Sequence, residues 1–338
     1  VLLEPQSTNL ITYSEDFSNS SWNKSGVSVV SGFVSPSGDL GAYKMTEDTA
    51  TSSHRIVIFA GVSNSFQSQS IFVKYDNSQQ FIQTTSSRSV FNYVNFDISN
   101  KTFTNFGTSV GSITELDNDW LRLDVYHDSS RNVFWHFITS LTAAWSESYL
   151  GTGKHLLIYG AQIEALPYAT SYIPTSGAIA TRLADRVTGA GDATTFNSTE
   201  GVLYAEMAAL ADDLTQRQIS IDDGVGGNRI VLRYNNVSNN INAYLFSGSV
   251  QGGELNYTAS DITQFNKIAF SYKLNEFKLY VNGVQRAIDT SGNTFSPNTL
   301  NDLSFDFNGL FPFQGKVKAL AVFNEALTDS ELECLTKI

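Results

Sequence analysis

The sequence predicts an all-β protein: two antiparallel β-sandwich (jelly-roll) domains in tandem, closed by one short C-terminal helix. Three observations predict it. Short apolar runs are broken about every eight to twelve residues by Ser, Asn, Gly or Asp clusters, with no helical pattern between them. Residues 266–288 show period-two alternation, Ile268, Phe270 and Tyr272 and then Phe277, Leu279 and Val281, so one face of each strand is buried. Asn282-Gly283 sits between Val281 and Val284, and both tolerate the positive φ that a type I′ hairpin turn demands.

A chain of 338 residues is too long for one small core, so two domains are expected. Hydrophobic residues make up 41% and aromatic residues 12%, enough apolar surface for two real cores. Charged residues are only 16%, and the remainder is rich in Ser, Thr and Asn, which suits short strands joined by turns. The formal net charge of −12 repels a phosphate backbone, so nucleic acid is excluded as a partner. A single cysteine, Cys334, excludes a disulfide framework within the chain. No apolar run approaches the roughly 20 residues of a membrane helix, so no membrane insertion is expected. The first residue is Val, and the chain is read as a fragment of a longer polypeptide.

Residues 1–9 carry Pro5 and read as an N-terminal tether. The first domain spans 10–175, with strands expected at 56–60, 70–75, 90–97, 120–127, 133–138 and 156–163. Pro167, Pro174, Gly177, Gly189 and Gly191 then punctuate a stretch without pattern, which places a linker at 176–187. The second domain, 188–338, has strands expected at 201–208, 217–221, 228–234, 241–246 and 317–323 besides the central meander. A helix starts after Thr328: Glu331 completes a capping box, and Leu327 with Leu332 forms a hydrophobic staple.

Two resemblances rest on particular residues. Asn9-Leu10-Ile11-Thr12-Tyr13-Ser14-Glu15-Asp16-Phe17 with Trp22, and later Gly160-Ala161-Gln162-Ile163-Glu164 and Thr170-Ser171-Tyr172-Ile173-Pro174-Thr175, resemble a module of bacteriophage tail and fibre proteins. That module, matched over about 9–182, is similar to jelly-roll carbohydrate-binding domains. Leu279-Tyr280-Val281-Asn282-Gly283, the run from Phe313 to Phe323, and Ala326–Glu331 resemble a laminin-G-like, concanavalin A-like lectin sandwich. Leu2-Leu3-Glu4-Pro5-Gln6 resembles a junction in phage proteins. Together these imply a protein of the virion surface whose partners are host glycans, other virion proteins and further copies of itself as a homo-oligomer. The lectin fold does not by itself specify an activity, since it hosts lectins, lyases and hydrolases.

The residues do not assemble a catalytic motif. Gly107-Thr108-Ser109-Val110-Gly111 has the letters of a nucleophile elbow but no helix after it. Glu115-Leu116-Asp117-Asn118-Asp119-Trp120 lacks the third carboxylate of a glycosidase strand and reads as a polar turn before a core Trp. His54, His127, His136 and His155 have no metal-ligand spacing, though His127 and His136 could face each other across a hairpin. The acidic loop Asp222-Asp223-Gly224 with Asn228 offers the hard oxygen ligands of a structural Ca2+, the one cofactor considered.

Sugars stack their C–H faces on aromatic rings and take hydrogen bonds from Asn, Asp, Gln and Arg. Trp145, in a polar segment with no strand pattern, is the best candidate, with Tyr149 close by and Trp135 ambiguous. In the second domain Tyr244 and Arg233 are the leading contacts, beside Arg229 and Asn308, while Trp22 and Trp120 read as packing. The expected function is a non-catalytic carbohydrate-binding component of a phage virion, in fibre or decoration. The alternatives are a polysaccharide depolymerase, lyase or hydrolase, on the same fold and a purely structural virion protein without ligand.

Overall fold

A computed structural model describes residues 1–60, 66–85, 92–128, 134–140, 148–248 and 250–338. The chain divides into two compact units, Gln6–Leu183 and Val1–Pro5 with Ala184–Ile338. Among the described residues there is one α-helix, Asp329–Thr336, and the rest of the regular structure is almost all strand.

The N-terminal unit stacks two six-stranded antiparallel sheets. The first runs Thr102–Phe106, Tyr93–Asp97, Phe81–Thr85, Phe134–Ser140, Arg55–Phe59 and Asn23–Ser25. The second runs Val110–Glu115, Trp120–Asp128, Phe66–Lys74, His155–Glu164, Ala42–Glu47 and Val27–Phe33. Inward residues of both sheets share one core: Ile56, Ile58, Ile82, Val94 and Phe96 from the first, Ile71, Val73, Leu121, Leu123 and Ile158 from the second. Burying a Leu or Ile side chain of this kind contributes about 1.5–3 kcal/mol, so these rows hold the sheets together.

The opening and closing sequence motifs are two halves of one lock. Asn9 is fully buried; its Nδ2 donates to the carbonyls of Ala161 and Ile173, and its Oδ1 accepts from the N–H of Ile11 and Ile163. Ser14 and Thr175 exchange side-chain and backbone bonds, and Gln162 Oε1 accepts from Ile173 N–H at 2.6 Å. Glu164 accepts from the hydroxyls of Ser7 and Thr170. A motif that satisfies buried backbone groups tolerates few residue types, which is why these letters stand out.

The first nine residues are not a tether. Leu2–Leu3 pairs with Gly315–Phe323 and buries Leu3 in the C-terminal core, while Ser7–Asn9 pairs with Ala180–Arg182 of the segment expected as linker. His127 and His136 sit on strands of different sheets and are not cross-strand neighbours.

The C-terminal unit is a sandwich of two antiparallel sheets. Its six-stranded sheet runs Leu2–Leu3, Gly315–Phe323, Gly201–Ala209, Asn266–Lys273, Glu276–Val281 and Val284–Asp289. Its five-stranded sheet runs Val250–Thr258, Asn240–Ser247, Arg229–Tyr234, Arg217–Asp222 and Asp302–Ser304. Leu203, Phe270, Leu279, Ile219, Ile230 and Leu232 lie in the core between them. Asn282 and Gly283 have φ of 53° and 77°, with Val281 paired to Val284, the hairpin that the Asn-Gly pair predicts. The helix is capped as expected by Thr328 and Glu331. Leu332 packs it onto Val202, Tyr204, Ala269 and Tyr280, covering the outer face of the six-stranded sheet. Among the described residues no such helix covers the outer face of the five-stranded sheet.

Candidate functional site

That outer face is built by register. Arg233 pairs with Gln218 on one side and Asn242 on the other, and Asn242 pairs with Asn256, forming one outward row. Two residues along, Val231 pairs with Ser220 and Tyr244; beyond it, Arg229 pairs with Asp222 and Phe246. Period-two alternation puts Ile230, Leu232 and Tyr234 of the same strand in the core, so Arg229, Val231 and Arg233 point to the other face, where Val231 is buried and the two arginines are half-buried.

Two arginines organise the face differently. The Arg229 guanidinium lies 4.1 Å from the Phe246 ring centre and 4.4 Å from that of Phe307, and donates to the Gly226 carbonyl at 2.7 Å. It is clamped between aromatic rings and serves the face as a strut. Arg233 lies 4.8 Å over the Tyr244 ring, and its Nε donates to Asn242 Oδ1 at 2.7 Å. Its two terminal nitrogens have no partner among the described residues, and the side chain is half-buried. Asn242 Nδ2 in turn donates to Glu254 Oε1 at 3.1 Å and Asn256 Oδ1 at 3.0 Å. The network therefore aligns a cation, an amide and a carboxylate side by side, with Glu254 and Asn256 exposed.

Beside Glu254 an open depression of about 510 Å3 is lined by Gly252, Gly253, Glu254, Asp289, Ser291 and Gly292. Gly253 has φ of +59°, and a Cβ there would meet the Phe277 ring at 2.6 Å, so only glycine lets the edge strand come this close.

Tyr244 was expected to touch sugar directly. It is 6% exposed with its ring beneath the arginines, so it is a platform for Arg233 and not for a ligand. Tyr149 is buried too: its hydroxyl donates to Glu47 and meets Thr139 Oγ1 at 2.9 Å, and its ring lies 4.5 Å from that of His54. Glu47 also accepts from Thr152 and Lys154, which makes this cluster a clasp within the N-terminal unit. Trp145 lies outside the described residues. Trp135 lies on Phe134–Ser140 with Ile58 as cross-strand partner, and its side chain is likewise outside them. Trp22 and Trp120 are buried, as the reading of packing required.

The acidic loop is tied to itself. Asp222 accepts from Gly224 N–H and the Ser220 hydroxyl, and Asp223 from Val225 N–H, Gly226 N–H and Asn228 Nδ2. Asn228 Oδ1 accepts from Gly248 N–H. Burial pushes the Asp222 carboxyl above its ordinary range, with Asp302 and Asp223 adding to the effect. Burial raises Asp223 as well, but its hydrogen bonds outweigh this and bring it below. Among the described residues no three acidic, His or Cys side chains converge on one point.

Ser109 of the Gly-x-Ser-x-Gly stretch meets His127 Nδ1 at 2.8 Å, but it is 1% exposed and a strand, Val110–Glu115, follows it. An elbow needs an exposed hydroxyl on a strand-to-helix turn, so this pair is not one.

Residues 193–333 match the family described as the concanavalin A-like lectin/glucanases superfamily, of laminin-G type. No curated protein matches the sequence. Among solved structures, the chain is similar to the leech intramolecular trans-sialidase complexed with 2,7-anhydro-Neu5Ac, at 20% identity and TM-score 0.36, covering 42% of this chain and 24% of that one. It is similar to sheep galectin-11 at 12% identity and TM-score 0.28, covering 42% and 99%. Domains LG4-5 of the mouse laminin α1 chain follow at 11% identity and TM-score 0.30, covering 83% and 90%. The chain thus spans about a quarter of the leech protein.

Proposed function

We propose that the C-terminal unit binds a saccharide on the outer face of its five-stranded sheet, without cleaving it, and does so on a phage particle attaching to host surface polysaccharide. The observation that carries the reading is the free end of Arg233, held in place by Tyr244 and Asn242. Two terminal guanidinium nitrogens match a pair of neighbouring sugar hydroxyls, and Glu254 and Asn256 supply acceptors for hydroxyl donors in the same row. The adjoining depression leaves room for a second sugar unit.

The lectin-like fold supports the reading, and the motif resemblance of residues 9–182 supports the virion setting, with other virion proteins and further copies of the chain as partners. Weak single contacts would be strengthened by many copies on one particle. Affinity electrophoresis through gels containing bacterial and marine polysaccharides tests this. Retardation by at least one of them, lost in Arg233→Ala, is expected, with no new reducing ends or unsaturated products after incubation. Free migration through every gel, or release of oligosaccharides, contradicts it.

A further inference from the structure

The chain carries the dipeptide Asn-Gly twice, at Asn282-Gly283 and at Asn308-Gly309. Both form tight turns with positive φ, 53° and 77° at the first and 47° and 81° at the second. Phe307 and Leu310 close the second turn by exchanging main-chain hydrogen bonds of 2.8 and 2.7 Å. An asparagine followed by glycine is open to attack on its side-chain carbonyl carbon by the next main-chain nitrogen, because glycine has no Cβ to hinder the approach.

At Asn282-Gly283 the reacting groups are held. Asn282 Oδ1 accepts from Lys267 N–H at 2.9 Å, and its Nδ2 donates to Asn266 Oδ1 at 2.9 Å. The Gly283 N–H, which would have to attack, donates to Thr336 Oγ1 of the C-terminal helix at 3.1 Å. At Asn308-Gly309 none of them is held. Asn308 is exposed, and among the described residues neither its side-chain amide nor the Gly309 N–H has a hydrogen-bond partner.

We infer that Asn308 is a modification site, at which the folded chain converts its own asparagine to aspartate and isoaspartate with water as the co-reactant. The Gly309 nitrogen attacks Asn308 Cγ: the N–Cγ bond forms, the Cγ–Nδ2 bond breaks, and ammonia leaves with the proton that Gly309 gives up. Water then opens the cyclic imide. Cleavage of the N–Cγ bond leaves aspartate; cleavage between that nitrogen and the main-chain carbonyl carbon of residue 308 leaves isoaspartate, with a methylene added to the main chain. Either product places a new carboxylate among groups that respond to charge. Arg186 Nη2 donates to the Gly309 carbonyl at 3.4 Å, and a Cβ on Gly226, whose carbonyl accepts from Arg229, would meet Asn308 Nδ2 at 3.3 Å. The isoaspartyl form also stretches the turn that positions Phe307, one of the rings that clamp Arg229. The site needs no saccharide and does not rest on the reading of the Arg233 face.

The test incubates the full chain in warm, mildly alkaline buffer made with water enriched in heavy oxygen, and follows both Asn-Gly peptides by digestion and mass spectrometry. Residue 308 is expected to take up the label, since the water oxygen ends in the new carboxylate. Conversion at Asn308 should outpace that at Asn282 by about tenfold or more, because the bonds to Lys267, Asn266 and Thr336 must break before Asn282 can react. The same chain unfolded in guanidinium chloride should convert both sites at matching rates, since the dipeptides are identical and only the fold sets them apart. The inference is overturned if residue 308 takes up no label, if Asn282 keeps pace with it in the folded chain, or if the preference for Asn308 persists unchanged in denaturant.

Discussion

The Arg233 guanidinium lies 4.8 Å over the Tyr244 ring, on the sheet face left uncovered by the C-terminal helix. The ring and the Asn242 bond fix the fork, so the terminal nitrogens are presented with little entropy left to lose on binding. Arg233→Ala should weaken polysaccharide retention by about tenfold or more, since a hydrogen bond to a charged group contributes about 1.5–3 kcal/mol. Arg233→Lys should not restore it, because lysine has no second terminal nitrogen and no Nε–H for Asn242. Tyr244→Phe should bind as the parent does and Tyr244→Leu should not, as read by dissociation constants from affinity gels.

Asn9 should be the most sensitive single position in the N-terminal unit. Asn9→Ala strips partners from two carbonyls and two N–H groups in a buried site, and should cost about 2–4 kcal/mol of unfolding free energy. Urea denaturation followed by the fluorescence of Trp22 and Trp120 checks it. A loss under about 0.5 kcal/mol, the scale of an ordinary surface change, would sink the lock described for the two motifs.

Acid should weaken the N-terminal unit through His127. Burial lowers its folded pKa from 6.5 to about 3. Between those values the unfolded chain takes up a proton that the folded chain refuses, so stability falls as pH falls through that window. The slope from this one group is at most about 1.4 kcal/mol per pH unit. Comparing urea unfolding of parent and His127→Gln from pH 7 to pH 4 isolates the contribution. The parent should lose more stability than the variant; parallel curves would show that the ring is not buried neutral.

The Asp222–Asn228 loop should need no cation. Its carboxylates already accept from Gly224, Val225 and Gly226 N–H groups and from Asn228. Thermal melts in EDTA and in millimolar CaCl2 should coincide, and a rise of several degrees with calcium would show that the loop opens into a site.

The strands legible in the sequence were those with one dry face, such as Trp120–Asp128, and the turn carried by Asn282-Gly283. Val27–Phe33 was not, because as an edge strand it only half-buries Val27 and Val29 against the core and exposes Val30 on its other face. Nor was the fate of Leu2–Leu3, two residues whose partner strand is more than 300 positions away. Arg233 and Tyr244 were readable as residue types suited to a sugar, but their stacking depends on the register of strands Arg229–Tyr234 and Asn240–Ser247, joined by a loop without a simple turn signal. Tyr149 misled because its polar neighbours suggested exposure, while Glu47, the carboxylate that holds its hydroxyl inside, lies 102 residues earlier.

The most direct measurement is hydrogen–deuterium exchange on the full chain, with and without a polysaccharide that retards it. Slowed exchange should centre on Arg229–Tyr234, Asn240–Ser247 and Val250–Thr258, leaving Gly315–Phe323 and the helix unchanged. Protection confined to the helix-covered sheet, or none in the C-terminal unit at all, would contradict the placement of the saccharide on the Arg233 face.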